Sequence, residues 1–77
     1  MTARQRLIEM AASHLSKHDT ASHDAAHESL EHIAIHTYQG ETKTYYQGIS
    51  QHALDRLIIA VVTRSQKIRS QRHAATP

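Results

Sequence analysis

The chain has 77 residues, with nine Lys or Arg against seven Asp or Glu, eight histidines and a formal charge of +2. That length allows one small domain with a limited core, and the absence of cysteine excludes a disulfide staple or a thiolate metal site. Without tryptophan or phenylalanine the core must be built from Leu, Ile, Val, Met and Ala, so tight helix packing, a bound metal or association must supply stability.

The first predicted helix is TARQRLIEMAASHLSKH, residues 2–18. Thr2 and Gln5 have capping-box spacing. Leu7, Ile8, Ala11, Leu15 and His18 then recur at helical spacing along one stripe. The N-terminus lacks the apolar run and small-residue cleavage site of a signal peptide, and a cytoplasmic protein is the expectation.

Asp19 to Ser22 supply break and cap residues. The second helix is expected from about Ala21 to Tyr38, with Ala26, Leu30, Ile33, Ala34 and Thr37 on its apolar face. Asp24 and Glu28 fall in its early turns, where carboxylates suit the positive dipole end. Gly40 is the natural stop, because glycine tolerates the left-handed conformation there.

Residues 37–48, TYQGETKTYYQG, hold all three tyrosines and both glycines. They read as a connection ahead of a third helix capped by Ser50. The Thr44–Gln47 pair offers an earlier start, but Gly48 inside the first turn weakens it. A competing reading makes residues 33–48 a two-stranded β-ribbon turning at Gly40–Glu41, since Thr and Tyr favour strands.

The third helix is the most apolar. Leu54, Leu57, Ile58, Val61, Val62 and Ile68 form a wide stripe, and LIIAVV (residues 57–62) covers nearly the whole circumference. It is too short to span a bilayer. A helix apolar all round needs burial on every side, which a three-helix chain of this size cannot easily give. The expectation is therefore a homodimer with Leu54, Leu57, Ile58, Val61 and Val62 at the interface. Charge is polarised along the chain. Residues 1–41 carry three basic and six acidic side chains, whereas residues 42–77 carry six basic ones and a single acid, Asp55. Cations near a helix C-terminus suit its dipole; the alternative is a nucleic-acid surface of Arg56, Arg64, Lys67, Arg69 and Arg72. These five do not form one stripe, since Arg56, Arg64 and Lys67 share a flank and Arg69 and Arg72 lie elsewhere.

The histidines form three H-x-x-x-H pairs: His14/His18, His23/His27 and His32/His36. Residues four apart on a helix are neighbours, and two imidazoles so placed can share an ion. If residues 19–21 make the turn of a helical hairpin, His14, His18, His23 and His27 fall at two matched levels. They are then a candidate site for zinc or another transition metal. The plainer alternative is that these are half-wet residues lining helix seams. Stacked imidazoles cannot all become cationic cheaply, so a loss of stability or a change of oligomeric state is expected between roughly pH 7 and 5.5. Glu28, His32 and His36 form a second ladder on another flank. HESLEH is neither H-E-x-x-H nor H-x-x-E-H.

These readings give an all-α protein: a helical hairpin plus a longer third helix, as a three-helix protomer in a homodimer. Residues 1–73 are one domain and 74–77 a frayed tail. No nucleophile elbow, phosphate loop or paired-carboxylate motif occurs, so a non-enzymatic role without a cofactor is expected. The leading expectation is a regulator, adaptor or inhibitor of the kind phages and plasmids carry as accessory proteins. It would bind another protein through Tyr38, Tyr45 and Tyr46, because tyrosine combines apolar area with a hydrogen-bonding tip. Their competing role is to cap the ends of the helical core.

Overall fold

The computed structural model describes residues 1–18, 21–36 and 40–75, the last three of them as backbone. Four helices occur among these residues: α1 (Ala3–Leu15), α2 (His23–His36), α3 (Glu41–Gln47) and α4 (Gln51–Ala75). The all-α expectation holds. The expected count of three helices is corrected to four, and the ribbon alternative fails because residues 41–47 are helical.

The cap chemistry works as the sequence indicates at three helix starts. Gln5 N–H donates to Thr2 Oγ1 at 3.1 Å, and Thr2 N–H donates to Gln5 Oε1 at 2.9 Å, completing the box. Ala25 N–H donates to Ser22 Oγ at 3.1 Å, and Ala53 N–H to Ser50 Oγ at 3.2 Å. Each bond satisfies a backbone donor that the helix itself leaves open.

Gly40 has a different role from the one expected. Its φ of +73° places it at the start of α3, where it redirects the chain. Gly48 closes the same helix: its N–H donates to the Thr44 carbonyl at 3.2 Å, and the next N–H, of Ile49, donates to the Tyr46 carbonyl at 3.3 Å. Seven residues rich in Thr and Tyr make a poor isolated helix. Docking on α1 and α2 compensates for that local weakness, and Thr42 is buried.

α1 ends at Leu15, three residues before the predicted end. Tighter turn bonds follow, from Lys17 N–H to the His14 carbonyl (3.3 Å) and from His18 N–H to the Leu15 carbonyl (3.0 Å). α2 starts at His23, so the connection between these helices is longer than a three-residue turn.

α1 is the hub, packing against each of the other three helices; α2 also meets α3 and α4. Leu7, Ala11, Ala12 and Leu15 of α1 close on Ala26, Leu30, Ile33 and Ala34 of α2 and on Leu57, Ile58 and Val61 of α4. Three of the five residues expected at a dimer interface are used inside the protomer. Leu57, Ile58 and Val61 are sealed inside one protomer at 0, 2 and 0% exposure, and Leu54 and Val62 are half-buried against the same core. The reason is that α4 packs against both α1 and α2, which together cover the face that carries these residues. What the protomer leaves uncovered on this stretch is Ile59, at 58% exposure.

The molecule measures 43 × 21 × 19 Å. A 25-residue helix is about 37 Å long, so α4 sets the long axis. In its later turns Gln66, Lys67, Ser70, Gln71 and Arg72 are exposed, while Ser65 is buried and Ile68 packs against the core. No described helix is long and apolar enough to cross a membrane.

Candidate binding groove and histidine cluster

Two features stand apart from the core. The first follows from how α3 docks. It packs on α1 and α2 and makes no helix contact with α4. A groove of about 520 Å³ is left there, lined by Arg4, Tyr45, Ala53, Arg56, Ile59 and Ala60. Ile59 is exposed within it, and the lining holds two guanidinium groups and no carboxylate. Sequence reasoning missed Arg4 and Ile59. Ile59 lay inside LIIAVV, but which residue of an all-apolar run stays outside depends on where the other helices dock.

The tyrosines separate. Tyr38 lies outside the described residues. Tyr45 and Tyr46 are both half-buried against the core, but Tyr45 also faces the groove. Tyr46 is held in a drier setting. Burial, then the negative charge of Glu31, raises the pKa of its hydroxyl. Tyr46 therefore fits the core-capping role, and Tyr45 is placed where a partner could touch it.

The basic residues of α4 also separate. Arg56 belongs to the groove. Arg64 Nε lies 2.9 Å from Glu9 Oε1, joining α4 to α1, although the contact is not aligned as a hydrogen bond. Lys67 and Arg72 are exposed, and Arg69 is half-buried. They form no single cationic face.

The second feature is a run of four imidazoles crossing from α1 to α2. The His14 ring lies 5.2 Å from His18 and 4.9 Å from His32, and His32 lies 5.0 Å from His36. The His14 and His32 rings are stacked, with 24° between their planes. His14 Nδ1 is 3.1 Å from the hydroxyl of buried Ser29. Burial, reinforced by His32, His18 and Lys17, lowers the pKa of His14.

Of the four predicted metal ligands, His14 and His18 are thus adjacent. The other two lie elsewhere: His23 is exposed at the start of α2, and His27 turns to Glu31, with Nε2 and Oε1 3.4 Å apart. Instead, His14, His18, Glu28, Ser29 and His32 line one cavity of about 400 Å³. The Glu28–His32 spacing was visible in the sequence. That it would face His14 and His18 was not, because the longer connection moves Ser29 and His32, rather than His27, opposite His14. Among the described residues, no three His, Cys, Asp or Glu side chains are already grouped to hold an ion.

No family model matches the chain, and neither a curated protein nor a solved structure matches it.

Proposed function

We propose that this chain is a non-enzymatic binding protein, a compact regulator, adaptor or inhibitor, whose contact surface is the groove between α3, α4 and the start of α1. The observation that carries this reading is Ile59. It is a large apolar side chain left exposed beside a tyrosine and two arginines. Burying such a side chain contributes about 1.5–3 kcal/mol, and aromatic residues and arginine are enriched at the centres of interfaces. A partner segment combining apolar and acidic side chains complements this lining.

The homodimer is the second reading, favoured by the same exposed Ile59. With Leu57, Ile58 and Val61 used inside the protomer, a second copy would seat on this groove. Nucleic acid is less well matched, because Glu9 engages Arg64 and the remaining cations diverge.

Native mass spectrometry of untagged protein tests the proposal, comparing wild type with an Arg56→Glu/Ile59→Glu variant. The expected result is a retained protein partner, or a second copy, that the variant loses while its melting temperature is kept. A bare wild-type monomer, or a partner retained equally by the variant, overturns it. Co-purifying nucleic acid lost at raised salt also overturns it, in favour of the polyanion alternative.

A further inference from the structure

The geometry points to a transition-metal site in the histidine-lined cavity between α1 and α2, with His14, His18 and His32 as imidazole ligands and Glu28 as the carboxylate ligand. It shares no residue with the groove of Tyr45 and Ile59 and does not depend on that reading.

Two pairs of donors line this cavity: His14 on α1 with His18 in the turn just after it, their ring centroids 5.2 Å apart, and Glu28 with His32, four apart on α2. Glu28 and His32 present two donors from one helix face, and the packing of α1 on α2 brings both pairs to one cavity of about 400 Å³. Three imidazoles and a carboxylate make a donor set that zinc accepts in tetrahedral form. Zn–N bonds of about 2.0–2.1 Å put ligand nitrogens about 3.3 Å apart in such a site. The ring centroids of His14 with His18 and with His32 are already 5.2 and 4.9 Å apart.

Ser29 has the place of an orienting partner. Metal-bound histidines commonly donate their second ring N–H to a fixed acceptor, which sets the tautomer and aims the ring. The Ser29 hydroxyl is 3% exposed and lies 3.1 Å from His14 Nδ1. If Nδ1 carries the proton, Nε2 is the free donor for the ion. His18, Glu28 and His32 are exposed, so their side chains can rotate onto an ion at modest cost. That rotation is needed, because the donors are not grouped in advance. His14 is the fixed member and the other three close on it.

Zinc is the probe, with magnesium and calcium as controls that prefer all-oxygen sites. Calorimetric titration at neutral pH, together with the melting temperature and native mass, should show one zinc per chain, a raised melting temperature and no response to the controls. His18→Gln and His32→Gln should each weaken zinc at least tenfold. Ser29→Ala should weaken it less, by acting through His14. His23→Gln and His52→Gln, outside the cavity, should leave it unchanged. Absence of zinc binding overturns the proposal. So does an affinity insensitive to His18 and His32, or an equal loss with His23→Gln, which would indicate dispersed surface binding.

Discussion

A proton added to His14 in the metal-free protein meets opposition from several sides. Burial disfavours the charge first, followed by His32 across the helix seam and by His18 and Lys17 on the same chain segment. Glu28 is the carboxylate that lines the same cavity among the described residues, and it would favour the charge; His36 stands behind His32. The folded pKa is therefore below the reference 6.5. The unfolded chain binds the proton first as pH falls. Stability is full above the reference value and declines as pH drops through it toward the folded pKa. Because the two states differ by at most one proton here, the slope cannot exceed about 1.4 kcal/mol per pH unit. Melting in the presence of a chelator should be flat above neutrality and fall between pH 7 and 5.5. His14→Asn should flatten that fall. A wild-type curve level throughout, or an unchanged slope in the variant, contradicts this account.

The two glycines bound one short element, yet they ask for different things. Gly40 has φ +73°, and a Cβ there would meet nothing within 4 Å. Its value is wholly conformational, so Gly40→Ala should cost about 1 kcal/mol or more through backbone strain. That lowers the melting temperature of a domain this size by about 4–8 °C. Gly48 has φ −94°, and its added Cβ would touch only the Thr44 carbonyl at 3.6 Å, an ordinary contact. Gly48→Ala should leave melting nearly unchanged. Equal losses at both sites would mean that packing, not φ, governs them. This element also marks where the sequence became illegible. Thr2, Ser22 and Ser50 announce their helices, because a cap is a bond between near neighbours. The stripes of α1 and α2 announce their buried faces for the same reason of local periodicity. Glu41–Gln47 carries strand-favouring residues and becomes helical only by docking on α1 and α2, which no local signal encodes. The histidine pairing was half legible. Each i, i+4 pair could be read off one helix, but which pairs meet depends on where α1 stops.

For the whole molecule the question is how much of the apolar stripe of α4 one chain can cover. A domain of 77 residues has little stability to spare. Leu57 is fully buried at the junction of α1, α2 and α4. Leu57→Ala should cost about 2–5 kcal/mol, enough to unfold a large share of the protein at physiological temperature. Ile59, two positions on, faces outward, so Ile59→Glu should leave the isolated protomer folded. The two residues thus separate folding from association. If a second copy fills the groove, the folded state is stabilised by mass action, and melting rises with protein concentration. Over about a hundredfold range of concentration the wild-type melting temperature should then climb, whereas that of Ile59→Glu should stay level. If the groove serves a different protein, both should be level, and Ile59→Glu should lose only the partner. A concentration dependence that survives Ile59→Glu would place self-association on another face and remove this groove from it.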